Sequence, residues 1–478
     1  MTVRVRIAPS PTGFLHVGNV RSALFNWLFA RHHGGTFVLR IDDTDVERSE
    51  QVYEDDIKAG MTWLGLDWDE GVDVGGSHGT YRQSDRFDRY RAVADELVAA
   101  GHAYYDDRSA DELDALRNQA QREGKHPNVY IRRPDVPVTS GVVRFSVPQD
   151  GPVEFIDLVR DEMRFEPEVV DDFVILRSNG VPTYHLASTV DDVDYEISHV
   201  VRGEDLLSST PKHILLARAM GAEPATYAHL PLLFGPDGKK LSKRHGDTSL
   251  RAYREGGYLP EALFNYLSLL GWSYDSETTI FSVEQAVERF DLDGVSKNPA
   301  VFDIDKLQWM NGEYVRAISA DDFERRARPL IEADLGRAPT DGEWSAFSEM
   351  AVPIQERVKL MTEVGEMSRF LFVDALEFDE QSWSKVMKAD TVTTALSVAI
   401  RNLTDIQDWT VESIEAALRA GLEETGLNPR KGWQPLRVAV TGSQVSPPLF
   451  ESMTALGSRV TLQRLQRALD LATGDPVT

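Results

Sequence analysis

Two short segments hold residue types and spacings suited to chemistry on a phosphorylated ligand. The first is Pro9-Ser10-Pro11-Thr12-Gly13-Phe14-Leu15-His16-Val17-Gly18-Asn19. Gly18 removes a side chain where a ligand could approach helix backbone. His16 and the free N–H groups of a helix start can both face a phosphate, because a helix N-terminus attracts anions. On its own the segment suits a proline/glycine turn with an exposed histidine equally well. The second is Gly235-Pro236-Asp237-Gly238-Lys239-Lys240-Leu241-Ser242-Lys243-Arg244-His245-Gly246. Four cations crowd into a glycine-flanked loop that could close over a polyphosphate and neutralise charge developing during transfer. A solvated basic loop has the same composition. It is not a P-loop, since the G-x-x-x-x-G-K-[ST] pattern is missing.

The elements around the first segment are legible. Val3, Val5 and Ile7 alternate with Arg4 and Arg6, the period-two pattern of a strand. Val20, Ala23, Leu24, Trp27 and Leu28 recur at helical spacing, which predicts a helix from Gly18 or Asn19 to about His33, stopped by Gly34-Gly35. Residues 36–41 read as a second strand ending in Asp42-Asp43-Thr44-Asp45. A β–α–β unit has parallel strands, and ligands bind beyond their carboxyl ends. That edge holds Arg6, Ser10, His16 and Asp42. Residues 84–182 are patterned differently, with helices expected at 86–100 and 110–123 and strands at 142–147 and 173–177. This suggests an insertion between two halves of the first domain. Strand and helix patterning resumes at 197–203 and 211–220, and beyond about Ile318 the chain reads as nearly all helix.

Composition narrows the class. The 478 residues are 42% hydrophobic and 27% charged, enough apolar material for several cores. No apolar run reaches the ~18 residues that span a bilayer, and the N-terminus does not read as a signal peptide. A soluble cytoplasmic protein is expected. With no cysteine, disulfides, Cys-ligated zinc, iron–sulfur clusters and thiol nucleophiles are excluded. The net charge of −26 argues against a nucleic-acid partner in bulk, but a local basic patch can still bind phosphate. Asp42, Asp43 and Asp45 could ligate metal, yet strand-end acids more often cap turns or pair with arginines, so no metal is assigned. His32-His33 is read as serving the helix dipole, and Tyr104-Tyr105 as core.

Together the two segments form the paired signature of class I aminoacyl-tRNA synthetases, and the chain strongly resembles the bacterial glutamyl-tRNA synthetases. His16-Val17-Gly18-Asn19 is similar to the first signature and Lys240-Leu241-Ser242-Lys243-Arg244 to the second. Arg6-Ile7-Ala8-Pro9-Ser10-Pro11-Thr12-Gly13, Arg40-Ile41-Asp42-Asp43-Thr44-Asp45, Tyr81-Arg82-Gln83-Ser84, Pro182-Thr183-Tyr184-His185-Leu186-Ala187, Val201-Arg202-Gly203-Glu204-Asp205 and Leu269-Leu270-Gly271-Trp272 match in order. Pro435-Leu436-Arg437-Val438-Ala439-Val440-Thr441-Gly442 resembles the anticodon-binding part. The chain departs at Asp42, where the family usually has Glu, at Ser188, often Asn, and at Leu206, often aromatic. These departures bear on pocket geometry. Some relatives carry a cysteine-based zinc site near Ala103-Tyr104-Tyr105-Asp106-Asp107, which a cysteine-free chain cannot build.

The resemblance implies an α/β fold. A Rossmann-like parallel-sheet catalytic domain (1–84 and 183–234) is split by an inserted α+β acceptor-stem-binding domain (85–182). A stem-contact region (235–320) and an all-α anticodon-binding half (321–375 and 376–478) follow. It implies ligation of L-glutamate to tRNA(Glu) with ATP and Mg2+, activation dependent on bound tRNA, no structural zinc and a monomer. By the same resemblance His16, Asn19, Lys240 and Lys243 are catalytic, and Gly18, Leu233, Ser242 and Arg244 hold ATP. Arg6, Ser10, Asp42, Tyr184 and Arg202 hold glutamate, and Arg357, Arg430, Lys431 and Arg437 contact tRNA. The alternatives are a glutaminyl-tRNA synthetase, whose anticodon half is β-barrel-rich, and a non-catalytic tRNA-binding paralogue. The helical C-terminal half disfavours the first, and His16, Lys240 and Lys243 disfavour the second. Whether tRNA(Gln) is also charged is left open.

Overall fold

The expected first strand is β1 (Arg4–Ile7), and it pairs in parallel with β2 (Thr36–Leu39), Arg6 opposite Val38. This computed structural model describes residues 2–132, 138–242, 244, 246 and 248–474, so the expectations placed on Lys243 lie outside the described residues. Between the strands runs α1 (Val17–His32), capped by His16. Its residues from Val20 to Ala30 are all buried, as befits a helix that is apolar on most sides. Helix α2 (Gln51–Trp63) leads to the short β3 (Glu70–Gly71), which adds to the outer side of β2. Arg4 donates to both carboxylate oxygens of Glu70, at 2.8 and 2.6 Å, and Tyr81 donates to the same group. The hydrogen bonds from Arg4 are the chief reason the Glu70 carboxyl is held down to about 2.

Residues 87–176 contribute α3 (Phe87–Ala99), β4 (Ala103–Asp106), α4 (Ala110–Arg122) and β5 (Val142–Phe145), then β6 (Val153–Asp157), β7 (Asp161–Phe165) and β8 (Phe173–Leu176). Strands β4, β5 and β8 make an antiparallel sheet of their own. It packs with α3 around Tyr90, Phe145 and Ile175, a core that also takes in Leu186, Val190 and Leu216. Tyr104 is buried outside that cluster and donates to Asp172. Tyr105 is half-buried, packs against the cluster and donates to Asp95.

The chain then returns through α5 (Tyr184–Asp194), β9 (His199–Gly203), α6 (Thr210–Ala219) and β10 (Thr226–Leu230). The sheet order is β7-β6-β10-β9, parallel except for the β6–β7 hairpin. That hairpin lies within 85–182, yet its sheet partner is β10. The N–H of Ser198, just before β9, donates to the carbonyl of Arg4, so β9 abuts β1. From β1 the chain winds one way to β2, and from β9 the other way to β10. The carboxyl ends of β1 and β9 therefore flank a topological switch point, the place where open α/β sheets bind ligands.

The chain divides into two compact units, one of residues 1–255 and 260–307, the other of 256–259 and 308–478. Among its described residues the second unit is built of helices joined by loops, with no strand. Its helix starts carry side-chain caps: Ser319, Thr340, Thr410 and Asn428 each accept from a backbone N–H three residues on. Four of the described helices stop at glycines in the left-handed region, Gly336 (φ 67°), Gly426 (φ 66°), Gly442 (φ 86°) and Gly474 (φ 80°), where a side chain would be strained. Arg464, almost wholly buried, donates to the carbonyls of Val440, Phe370 and Val373. It thus ties residues on both sides of position 375 into one body. Among the described residues no helix is long and apolar enough to cross a membrane.

Candidate active site

A cavity of about 630 Å³ opens at the switch point. Arg6, Ser10, Asp42, Tyr184 and Arg202, expected to hold an amino acid, all line it. So do His16, Gly18, Asn19, Leu233 and Lys240 from the expected nucleotide side. Ser188 and Leu206, two of the departures, lie on its wall as well. Ser242 and Arg244 do not line it; the Arg244 side chain is 3.5 Å from Asp237.

The His16 ring is oriented by its own helix. Its Nδ1 accepts from the Gly18 N–H at 3.1 Å. In the neutral ring the proton then sits on Nε2, which makes that nitrogen a donor. A Cβ at position 18 would stand 3.3 Å from Nδ1, so glycine is what lets the ring settle there. Lys240 is exposed and pairs with Asp205, also on the cavity wall, at 3.3 Å.

The amino-acid side is a charge network that sequence reading only half anticipates. Arg6 is buried on β1 and donates through Nε and Nη2 to Asp192 at 3.0 and 3.2 Å. It is neither a solvated strand residue nor the partner of Asp42. Asp42 is held by Arg40, whose Nε and Nη2 reach its two oxygens at 2.6 and 3.1 Å. Arg40 has no exposed surface; it also donates to Asp192 at 2.7 Å and to Ser188 at 3.2 Å, and lies 3.6 Å from Asp191. Burial pushes the Asp192 carboxyl up, but Arg6 and Arg40 outweigh it and the net shift is down. Burial dominates at Asp191, whose carboxyl is pushed up to about 6 despite Arg40 and Arg86. Asp43 accepts from the backbone and hydroxyl of Ser84, and Asp45 from Arg48, so these acids are bound within the fold.

Arg202 is different. It is 4% exposed, and its five N–H groups point at His229 Nε2 (3.1 Å), the Tyr184 hydroxyl (3.0 Å), His213 Nδ1 (3.5 Å), the Leu206 carbonyl (3.2 Å) and the Thr210 hydroxyl (2.9 Å). Among the described residues no carboxylate pairs with it. Burial holds the His213 and His229 rings below the usual histidine range, so both are neutral near pH 7. The charge of Arg202 is therefore left uncancelled by the described residues around it.

Sequence reading missed Arg40, Asp191, Asp192 and His229. One signal was available for the two acids: they follow Leu186, Ala187 and Val190 on a helix, so a buried face carries into Asp191. Outside the cavity, His32, His33 and Asp291 bring ligand atoms within 4.8 Å of one another. His32 Nδ1 already meets the Val287 carbonyl, and Asp291 accepts from the Leu292 N–H. These bonds and the end of α1 account for the group without an ion.

In the second unit Arg430 and Lys431 are exposed in the first turn of a helix, Pro429–Thr441, that has no acid there. Arg437, two turns on, is half-buried and donates to the Ser446 hydroxyl and the Pro447 carbonyl. Burial, with Arg357 nearby, lowers its guanidinium from the usual value. Arg357 donates to the Pro353 carbonyl at 3.0 Å.

Comparisons with known proteins agree with this geometry. Residues 2–309 match the catalytic domain of class I tRNA synthetases (E and Q), and residues 322–469 match an anticodon binding domain. A glutamate–tRNA ligase of Dehalococcoides mccartyi is 46% identical over 473 residues, covering 98% of this chain and 97% of that one. One from Streptomyces coelicolor is 45% identical over 485 residues, covering 98% and 97%. A glutamate tRNA ligase from Elizabethkingia meningosepticum, crystallised in complex with its amino acid, superposes with a TM-score of 0.85 at 31% identity, covering 98% of this chain and 99% of that one. A buried network at the switch point, an uncompensated arginine within it and similarity along nearly the whole length converge: the chain belongs to the glutamate–tRNA ligase family of class I tRNA synthetases.

Proposed function

We propose that this protein attaches L-glutamate to the 3′-terminal adenosine of tRNA(Glu) in two steps. An oxygen of the glutamate α-carboxylate attacks the α-phosphorus of ATP, supplied as its magnesium complex. The bond to the bridging oxygen breaks, and pyrophosphate leaves. The 2′-hydroxyl of the adenosine then attacks the activated carbonyl carbon, AMP leaves, and the hydroxyl proton passes to the departing phosphate. Such chemistry asks for positioning and charge neutralisation more than for covalent help.

The observation that carries this reading is the charge balance at the amino-acid corner. Arg6 and Arg40 are matched by Asp42 and Asp192, and Asp191 by Arg86, while Arg202 has no carboxylate partner among the described residues; Arg21, toward the nucleotide side of the cavity, is likewise held by the Leu270 and Pro231 carbonyls. Free glutamate carries one net negative charge; glutamine carries none. Arg202 takes the α-carboxylate, giving up its longest contact, to His213, for it; Arg6 with the Tyr184 hydroxyl takes the side-chain carboxylate, and Asp42 the α-ammonium, with Ser10 at the entrance. Asp42 is one methylene shorter than glutamate, so a water bridges to the ammonium. His16 Nε2–H, Asn19 and the N–H groups at Gly18 hold the ATP phosphates, with Leu233, Ser242 and Arg244 framing the nucleotide. Lys240 leaves Asp205 for the phosphates, and Lys243 stabilises the transition state and the leaving pyrophosphate.

The remaining assignments follow the same reading. Residues 85–182 take the acceptor stem, 235–320 contact the stem, and 321–375 with 376–478 bind the anticodon. The protein acts as a cytoplasmic monomer, without structural zinc, and activation awaits bound tRNA. Its decisive test is aminoacylation of purified tRNA(Glu) and tRNA(Gln), each with glutamate and with glutamine. tRNA(Glu) is expected to accept glutamate and not glutamine; efficient use of glutamine overturns the pocket assignment.

Basic residues in a first helical turn oppose the helix dipole, so Arg430 and Lys431 gain most by meeting a phosphate there. The double variant Arg430→Ala, Lys431→Ala should bind tRNA(Glu) more weakly and flatten the dependence of log affinity on log salt by about one to two, as each lost phosphate contact removes ~0.7–0.9. An unchanged salt slope removes both residues from the RNA surface. Arg357 and Arg437 contribute through their mutual proximity, with Arg437 also anchoring the 446–447 turn.

A further inference from the structure

Three neighbouring strands of the β7-β6-β10-β9 sheet each contribute one wholly or almost wholly buried side chain to a line. Asp157 ends β6, His229 sits in β10 and Arg202 in β9, directly opposite His229 in the parallel register. Their hydrogen bonds have only one sense. Arg202 Nε–H can only donate, and it reaches His229 Nε2 at 3.1 Å. The Thr210 hydroxyl lies 3.1 Å from the same nitrogen while accepting from Arg202 Nη2. Nε2 is therefore the lone-pair nitrogen, and the ring proton is on Nδ1. That proton points at Asp157 Oδ2, 2.5 Å away. The other oxygen of Asp157 is fixed by the backbone N–H groups of Val159, Arg160 and His229 at 3.0, 2.9 and 3.1 Å.

We infer that Asp157 and His229 are positioning residues that aim Arg202 at the substrate α-carboxylate while leaving its charge uncancelled. A carboxylate bonded directly to Arg202 would fix it equally well, but would neutralise it and compete with the substrate. A neutral imidazole in between supplies the acceptor without the charge. Asp157, one ring further away, selects the tautomer that makes Nε2 an acceptor. The other tautomer would set Nε2–H against the Arg202 Nε–H and turn the guanidinium out of the plane in which Tyr184 meets it. Neither residue lines the cavity, so their effect on the reaction passes wholly through Arg202.

This inference rests on Arg202 holding the α-carboxylate, and the test separates the two. Steady-state KM values for glutamate, ATP and tRNA are measured for wild type, Arg202→Ala, Asp157→Asn, His229→Leu and His229→Gln, with melting temperature alongside. The amide of Asp157→Asn can donate to Nδ1 and so release the wrong tautomer. His229→Gln retains an acceptor for Arg202 and a donor for Asp157. Losing one hydrogen bond to a charged group should raise the glutamate KM of Asp157→Asn and His229→Leu about 10- to 100-fold. The ATP and tRNA values should stay within about twofold, and His229→Gln should recover most of the loss. An unchanged glutamate KM in Asp157→Asn overturns the inference. So does a uniform rise in all three KM values with falling melting temperature, or a His229→Gln protein no better than His229→Leu. If His229→Leu does not fold, Asp157→Asn decides the matter by its KM pattern, and His229→Gln is compared with wild type, a glutamate KM raised as far as in Asp157→Asn overturning the inference. An Arg202→Ala protein with normal glutamate KM instead sinks the underlying reading of Arg202.

Discussion

Arg6→Ala is expected to abolish the preference for glutamate over glutamine, measured as the ratio of kcat/KM values. A site built to pair a charged polar group rejects an analogue that cannot pair by ~10⁴ or more. A guanidinium meets a carboxylate through charge-assisted hydrogen bonds, whereas the amide of glutamine would turn N–H₂ toward its N–H groups. Two of the Arg6 donors are already committed to Asp192, so Nη1 is the edge left for substrate. The variant should still fold, because Asp192 keeps Arg40 at 2.7 Å and is not left as a lone buried charge. Without Arg6 the corner loses its net positive charge and becomes a better match to neutral glutamine. Full retention of the glutamate preference in Arg6→Ala means the side-chain carboxylate is read elsewhere.

Lys243→Ala should lower tRNA-dependent ATP–pyrophosphate exchange by about 10²–10³ with little change in glutamate binding, the loss typical of one preorganised transition-state charge. Of the cations around Lys243 in sequence, Lys240 is paired with Asp205 and Arg244 with Asp237. Each must give up a carboxylate before it can serve a phosphate. The last lysine of the loop is the one its place in the second signature assigns to the reacting phosphorus. Normal exchange in the variant, with tRNA present, would remove Lys243 from that role.

The parts of the fold that were legible in the sequence are those with local signals. Alternation in 3–7, helical spacing in 20–28 and a glycine stop at 34–35 gave β1, α1 and β2 to within a residue or two. The site residues flanking those elements were legible too, since turns at strand ends are short and punctuated. What stayed hidden is long-range pairing of charges. Arg6 and Asp192 are 186 residues apart, and nothing local to Val-Asp-Asp-Val-Asp in α5 names an arginine of β1 as a partner. The β6–β7 hairpin was hidden for the same reason: nothing between 153 and 165 announces that its partner strand begins at Thr226. His229 lies in a run, Tyr227-Ala228-His229-Leu230, whose tautomer only Asp157 and Arg202 define.

The junction of β1 with β9 also sets a schedule for synthesis. Arg4 and Ser198 are 194 positions apart, so the first strand leaves the ribosome well before the residue that flanks it. At ~5–20 residues per second that interval is about 10–40 s. Meanwhile the β4-β5-β8 sheet can assemble from its own neighbours, while Arg6, Arg40 and Asp42 wait without Asp192. The nascent N-terminal unit therefore spends most of its translation with an open sheet edge and unmatched cations, and becomes competent to close only as α5 and β9 emerge.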